Sequence, residues 1–490
     1  GRRIGPFEVA AGFGRPDEPG RYLDGGFAAL SWRATSWLRL MAEHDAADTR
    51  LGVGVSTPAN WLPGGVQVGG KVLLWDEGSS ENGRQFFSLG VTIPMGRRDV
   101  SRSWDGEGGR RDVVAVVEGG EVSRRGAAPT GEVLVGAGYE RVAVAWVDGV
   151  PAVRFENNVF NRDEREALWD AAVRVQQAHP ELERVYLVLL NQGIPVAQRL
   201  ALLEGDVPRL VSAGSGEIDG DWQELGGTGP IWKPRVMVSP RVRSTVGTEV
   251  GAWDASYSVE AEVTSSLWRG AMATVALNTA VYHSDDFEPG EIFYPQRLRD
   301  GVRTAELQQA FALHPRLFTG FYAGRYLHDY HGWLNETLLF SADRRHALGF
   351  LAGNFWHESI ELDQPQQFLG RYSYYHPGRD IQVHLYGGEF LQGDRGVRAE
   401  TRFWFGDYAI DVIYKNTEAQ FVGLGVVLPL TPVRDRQWRY LQVRGDPDWT
   451  YSVNTRVGED RNELDFSSGM MVLSPHHLDK LYFNRLRLAP

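Results

Sequence analysis

The sequence predicts an all-β transmembrane barrel of about 18 antiparallel strands, with a small α/β domain of ββαββ order inserted in it. Three observations predict this class. The first is side-chain alternation with a period of two, as in 398–415, RAETRFWFGDYAIDVIYK. There Ala399, Thr401, Phe403 and Phe405 alternate with Arg398, Glu400, Arg402 and Trp404. After Gly406-Asp407, Tyr408, Ile410, Val412 and Tyr414 alternate with Ala409, Asp411, Ile413 and Lys415. Two strands joined by a tight turn follow, each with one apolar and one charged face. The second observation is that short and long connections take turns along the chain, as they do in outer-membrane barrels. The third is that no window approaches eighteen consecutive apolar residues. A transmembrane helix is therefore not predicted, whereas a barrel escapes such a test because only alternate residues meet lipid.

Residues 1–96 give about six strands, near 4–13, 26–34, 37–46, 49–57, 65–75 and 85–95. The stretches GRPDEPGRYLDGG (14–26) and DEGSSENGR (76–84) are long connections, and ATS (34–36) is a short one. The chain opens at Gly1-Arg-Arg and enters strand-like sequence at once, which reads as a mature or trimmed start. Residues 97–140, including RRDVSRSWDGEGGRRD, are polar and glycine-rich and read as a linker. Residues 141–202 are the core of the inserted domain, within 97–230. RVAVAW and VPAVRFEN flank Asp148-Gly149, a strong hairpin signal. Asn161 is placed to cap a helix, with Glu164 three residues on. Leu168, Ala171, Ala172, Val175 and Ala178 share one helical face, and His179-Pro180 ends it. RVYLVLL (184–190) and IPVAQRLAL (194–202) complete the unit around Asn191-Gln192-Gly193.

Residues 231–430 give twelve strands: 234–246, 253–265, 270–283, 303–314, 316–327, 330–341, 346–357, 367–375, 381–392, 396–405, 408–416 and 420–429. AELQQAFALH (305–314) fits a strand or a turn of helix. Long connections such as 283–300 alternate with tight ones at His314-Pro315 and Gly406-Asp407. The tail, 431–490, does not continue the pattern and is placed in the periplasm. A soluble sandwich also alternates, but it keeps charges off its apolar face and favours Val, Ile and Leu there. Here aromatic residues recur near strand ends (Tyr408, Tyr414, Phe403, Phe405, Tyr322, Tyr326), as in the aromatic girdles of membrane barrels.

The composition narrows the function. The net charge of −12 excludes a basic field for nucleic acid. Cysteine is absent, which removes disulfides and thiolate metal sites, and lysine is scarce, so arginine supplies nearly all positive charge. The pairs Glu260/Glu262 and Asp285/Asp286 have the carboxylate spacing of glycoside hydrolysis, but neighbours on a strand meet that spacing trivially. His376 and His476-His477 lack zinc spacing, and SAGSGE (212–217) lacks the strand and helix of a nucleophile elbow. Neither a P-loop nor a dinucleotide fingerprint is present, so no catalytic residue and no cofactor is expected.

The stretch GEFLQGDRGVRAETRFWFGDYAIDVIYKNTEAQFVGLGVVLPL (388–430) resembles the closing strands of the YjbH-like family, outer-membrane proteins encoded with bacterial exopolysaccharide and capsule export systems. That family's glycine-rich loop and Arg-x-Phe strand are matched by Gly388, Phe390, Leu391, Gly393, Asp394, Gly396 and Arg402, with Trp404 in place of the phenylalanine. FAALSWRATSWLRLMAEHD (27–45) is similar to its strand pair, with His44 where tyrosine is usual. Residues 151–202 look like its inserted periplasmic unit, and LYFNRLRL (481–488) is similar to its C-terminal tail. The resemblance implies an outer-membrane barrel for export of a polysaccharide chain, acting with a periplasmic polysaccharide-export protein. Glu260, Glu262, Arg398, Glu400, Arg402, Asp411 and Lys415 are then candidates for the wall of the polymer path, or else wall residues that pair across strands. A general porin or structural envelope barrel is the second reading, and a soluble carbohydrate-active β-protein the third.

Overall fold

The computed structural model divides into two compact units, Gly1–Gly96 and Arg97–Pro490. It describes residues 2–4, 6–14, 25–35, 37–45, 48–57, 67–76 and 87–92 of the first. Of the second it describes 128–205, 207–213, 218–226, 229–246, 251, 253–359, 366–417, 419–435, 438, 440–457, 477–484 and 486–488. Most of the linker (97–127), SAGSGE from 214 to 217, and His476 lie outside the described residues.

The first unit is a seven-stranded antiparallel meander in chain order: β1 (Arg2–Ile4), β2 (Phe7–Gly14), β3 (Gly25–Arg33), β4 (Leu38–Asp45), β5 (Thr49–Ser56), β6 (Gln67–Asp76) and β7 (Phe87–Thr92). The sequence predicts one strand over 4–13. A hairpin stands there instead, with Ile4 opposite Phe7 and Pro6 at its turn, because proline cannot donate to a ladder. Leu30, Trp32, Leu51, Val55 and Leu74 of this sheet are exposed.

The inserted domain has α1 (Ala128–Ala137), β8 (Glu140–Val147), β9 (Val150–Glu156), α2 (Glu164–Ala178), β10 (Arg184–Asn191), β11 (Ile194–Leu202), β12 (Arg209–Ser212) and β13 (Gln223–Glu224). Its sheet order is β12-β11-β10-β9-β8-β13, with β9 and β10 parallel and α2 crossing between them. The turns at Asp148-Gly149 and Gln192-Gly193 have positive φ at both residues, the geometry that suits strand twist. Asp163, not Asn161, caps α2: its side chain accepts from the Arg165 N–H. Asn161 instead meets the tail, its N–H donating to Val433 O at 2.9 Å. Ala167, Leu168, Ala171, Ala172 and Val175 of α2 are buried with Val153, Phe155, Leu187, Leu189 and Val196, but Ala178 is exposed. Sequence reading missed α1, β12 and β13: α1 is largely apolar with no helical stripe, and β12 and β13 have only four and two residues.

The third sheet has fourteen strands. They are β14 (Arg235–Val246), β15 (Trp253–Trp268), β16 (Ala271–His283), β17 (Gly301–His314), β18 (Leu317–Tyr326), β19 (Tyr330–Phe340), β20 (His346–His357), β21 (Gln366–His376), β22 (Ile381–Glu389), β23 (Arg395–Phe405), β24 (Tyr408–Asn416), β25 (Gln420–Leu428), β26 (Gln442–Gly445) and β27 (Trp449–Arg456). β14 to β25 run in chain order and antiparallel, β26 adds in parallel to β14, and β27 adds to β25. Residues 305–314 are strand, not helix.

One expectation changes here. Among the described residues the strands of 1–96 form a sheet of seven, and the twelve strands of 231–430 form a sheet of fourteen together with two strands of the tail. The tail thus continues the sheet through β26 and β27, and then forms α3 (Leu478–Phe483). Its strands are short and interrupted by Pro447 and Gly445, which hides their period. Among the described residues no closed ring of main-chain pairs forms, but side chains link β14 and β27. Trp449 Nε1 donates to Pro240 O at 2.6 Å, and the Ser244 and Tyr451 hydroxyls are 2.8 Å apart.

The connections at one end of this sheet are short: 269–270, 315–316, 341–345, 377–380 and 406–407. Those at the other end include 247–252, 284–300 and 358–365. The inserted domain packs on the short-turn end. Gly270 N donates to Gln192 O, Arg344 Nη1 to Val196 O at 2.5 Å, and Arg162 pairs with Asp407 at 3.0 Å.

Candidate functional site

The fourteen-stranded sheet carries its polar side chains on the buried face and its apolar ones on the exposed face. On β15, Glu260 is 0% exposed and Glu262 2%, while Val259 is 43%. On β17, β20 and β25, Leu307, Leu348 and Leu424 are each 60% exposed. Thr274, Asn278, Thr304, Glu306, Gln308, Glu336, Arg371, Ser373, Gln382 and His384 are all buried. A globular protein in water has the opposite arrangement. The period of two transmits it along each strand, because a polar residue at i places i+2 and i+4 on the same face.

The seven residues named from the sequence all sit on or beside this polar face, in two groups. Glu260 is held by Arg241 of β14 and Arg303 of β17, both of which pair with its carboxylate. Glu262 is its neighbour two residues along. The second group lies on β23 and β24. Arg402 and Asp411 are directly opposed and make two parallel hydrogen bonds of 2.6 Å, the bidentate geometry of a strong pair. Arg398 opposes Lys415, a like-charge pair, and each finds an acid: Arg398 lies 3.4 Å from Glu400, and Lys415 2.9 Å from Asp394. Arg398 and Glu400 are half-buried, and the other five are buried.

These groups are packed and paired: ion pairs cross between strands, and tail residues Leu478, Tyr482 and Phe483 pack against Phe318 and Phe340 of the sheet. Tyr322 and Tyr326 are not girdle residues. They are 1% and 0% exposed, and cluster with Tyr330, Leu334, Phe355 and Leu391 on the inner side. The exposed aromatics near strand ends are others, Trp253, Tyr282, Trp356 and Phe368 at the long-loop end and Trp268 at the short-turn end. Tyr414 is also exposed.

The part that sequence reasoning missed is the tail. Leu478, Tyr482, Phe483, Leu486 and Leu488 are at most 2% exposed and pack with Phe318, Leu338 and Phe340 of the sheet and with the core of the inserted domain. Asp479 accepts from Arg371 Nη2 at 2.5 Å, and Glu336 accepts from Arg371 Nη1 at 3.2 Å and from Leu478 N at 2.8 Å. Burial opposes ionisation of Asp479, but the Arg371 guanidinium outweighs it, with help from His384 and His477, and holds the carboxyl well below the usual range. Further along, Arg487 pairs with Asp380 at 2.7 Å and lies 4.2 Å over the Trp404 ring, whose Nε1 donates to Gln382 at 3.0 Å. Asn191 Nδ2 donates to Leu481 O at 2.6 Å, and Tyr482 OH to Gln192 at 2.7 Å, so the tail ties the inserted domain to the sheet. Alternation gave no signal for Glu336 and Arg371, because the period of two puts Leu334 and Leu338 on the face of Glu336 and Leu369 on that of Arg371.

Glu336, Asp479 and His477 also offer ligand atoms within 4.8 Å of one another. The Arg371 guanidinium already pairs with both carboxylates there.

No family model, no curated protein and no solved structure matches the chain. Among the described residues no helix is long and apolar enough to cross a membrane, which says nothing of a β-barrel.

Proposed function

We propose that the chain is an integral outer-membrane β-barrel for export of an exopolysaccharide or capsular polysaccharide, acting with a periplasmic export partner and performing no chemistry on the polymer. The observation that carries the membrane part is the inverted burial of the fourteen-stranded sheet. Leucines at 60% exposure are stable against acyl chains and costly against water, at about 25 cal/mol per Å². Strand length agrees: β15 has sixteen residues, bracketed by exposed Trp253 and Trp268. At about 3.3 Å per residue and a tilt of about 45°, it crosses roughly 35 Å. The contacts of Trp449 with Pro240 and of Ser244 with Tyr451 support closure of the sheet through β14 and β27. Closure is required in lipid, where each unpaired backbone group costs several kcal/mol.

The export part rests on the resemblance of 388–430 and on the chemistry of the inner face. Arginine, glutamate, glutamine, serine and tyrosine side chains there match the hydroxyls and carboxylates of a polysaccharide. The packing of the inserted domain on the short-turn end supports a periplasmic partner, because short turns mark the periplasmic end of outer-membrane barrels. The packed interior supports a second reading, a structural envelope barrel without a standing channel. Membrane fractionation and gel mobility test the barrel: the chain should require detergent and run faster unboiled than boiled. A chain soluble without detergent ends the proposal. Secretion separates the two readings. Deleting the chain should abolish polymer release if it exports, and exchanging the half-buried Arg398 and Glu400 should alter release while the gel shift persists. Unchanged release after deletion leaves the structural barrel.

A further inference from the structure

The sheet of the inserted domain buries one face in the core with α2, through Leu187 and Leu189, and turns the other to a cleft of about 590 Å³. Val188 and Leu190 of β10 form its floor. Residues 218–226 cross this face as a strap. Ile218 N donates to Gln198 Oε1 of β11 at 3.1 Å. Gly220 passes so close to β8 that a Cβ there would lie 2.9 Å from the Ala145 Cβ. Leu225 N then donates to Val142 O at 2.9 Å. Arg269, from the turn between β15 and β16, also lines the cleft, which therefore lies where the inserted domain meets the large sheet.

Strand register lays the cleft out in two rows. In the first, Arg154, Val188 and Gln198 stand side by side on β9, β10 and β11. The Arg154 guanidinium lies 4.9 Å from the Trp222 ring of the strap, and its Nη2 donates to Glu224 at 2.5 Å, but its buried Nε meets no acceptor. In the second row Leu190 faces Pro195, beside the Gln192-Gly193 turn. A Cβ added to Gly193 would lie 3.0 Å from Arg141 Nη1 and 3.4 Å from Arg269 Cγ, so these two arginines converge on the turn. Arg141 stands at a β-bulge between Glu140 and Ala143, with a φ of 50°, and a bulge re-aims the side chain it carries. Its Nε lies 3.1 Å from Glu156. Arg269 is exposed, and among the described residues no acid lies within ion-pair distance of it.

We propose that this cleft binds a carboxylate-bearing sugar unit of the uronate class, with its carboxylate at Arg141 and Arg269 and its ring over Val188 and Leu190. Guanidinium groups present planar sets of donors that match a carboxylate, and Arg269 has its whole set to offer. The Gln198 amide and the exposed Asp219 stand by the apolar floor, where they suit the hydroxyls of a ring whose C–H face lies on that floor. An apolar floor with a few convergent polar groups, in a cleft of this size, fits a small ligand or one unit of a chain. The saccharide class rests on the export reading, whereas the anionic group rests on the cleft alone. On that reading the cleft selects an acidic polymer at the periplasmic mouth.

The test is calorimetric titration of the full chain in detergent with tetragalacturonic acid, and separately with neutral maltotetraose and with a tetraglutamate peptide. The wild type should bind tetragalacturonic acid saturably and more tightly than either of the others. Arg269→Gln, a change in an exposed turn, should weaken that binding by about tenfold or more, the loss expected for a hydrogen bond to a charged group. Arg184→Gln, an exposed arginine at the far end of β10, should bind as the wild type. The gel shift between unboiled and boiled samples checks that each variant folds. Absence of saturable binding overturns the proposal, as does undiminished binding in Arg269→Gln. Equal affinity for tetraglutamate overturns the sugar class. The two readings fail separately: saturable binding with polymer release unchanged on deletion of the chain keeps the cleft and removes export, and release lost on deletion without saturable binding does the reverse.

Discussion

At the scale of single residues, the ionisable groups of the inserted domain set opposing pH dependences. Glu164 opens α2 and accepts from Asn157 Nδ2 at 2.8 Å, yet burial pushes its carboxyl up to about 7. A raised acid favours the fold while it is protonated. Its contribution is complete below the unfolded value near 4.5, is lost as pH rises, and is gone above about 7. Glu164→Gln should therefore flatten the decline in Tm between those limits, as followed by circular dichroism. Asp163 has the opposite sign. Burial opposes its charge, but Arg165 and Arg487 outweigh it, so its contribution holds above the ordinary aspartate range and fades as pH falls below it. Within the sheet, Arg402 and Asp411 carry a second expectation. Asp411→Ala leaves the buried Arg402 guanidinium with only Glu400, 3.9 Å away, and should cost about 3–5 kcal/mol. Arg402→Met with Asp411→Leu together should cost far less, and denaturant unfolding in detergent would separate the two. The pairing of Arg402 with Asp411 was readable from the sequence, because Gly406-Asp407 as the turn fixes their register. The partners of Glu260 were not, since Arg241 and Arg303 come from two different strands.

At the scale of elements, α3 is the piece whose removal has the widest effect. It has only six residues, too few for a stable helix alone, so tertiary contacts hold it. Asp479→Ala should cost about 1.5–3 kcal/mol, the range for a hydrogen bond to a charged partner. Truncation before residue 477 should uncover Leu338, Phe340 and Arg371 and admit water to the inner face. Planar-bilayer recording tests this, with ion conductance expected to rise in the truncated chain. No rise would mean that the sheet itself, not the tail, blocks the space. The long strands β14 to β25 were legible nearly to their ends, since nine or more residues of strict alternation leave little room for another period. The tail was not. Its helix is short, its apolar residues serve two neighbours at once, and its polar ones are satisfied by partners more than a hundred residues away.

At the scale of the molecule, the proposed barrel would need a lipid-like solvent for its exposed apolar face. Transfer from detergent to plain buffer should aggregate the chain, and light scattering on dilution below the micelle concentration measures it. Sequence alternation showed that two unlike faces exist, but not which one is covered. That needed the exposure of Leu307, Leu348 and Leu424 beside buried Glu260 and Glu336. The division into seven and fourteen strands was hidden for a related reason: alternation is a local property, and pairing partners are not. The tail has one more consequence, for the order of assembly. Residues 477–488 complete contacts made by α2, the Asn191–Gly193 turn, β18, β19 and β21, yet they are synthesised and delivered after all of them. The interior thus stays unfinished until residues 477–488 arrive, and before then Arg371 has Glu336 but not Asp479 to pair with.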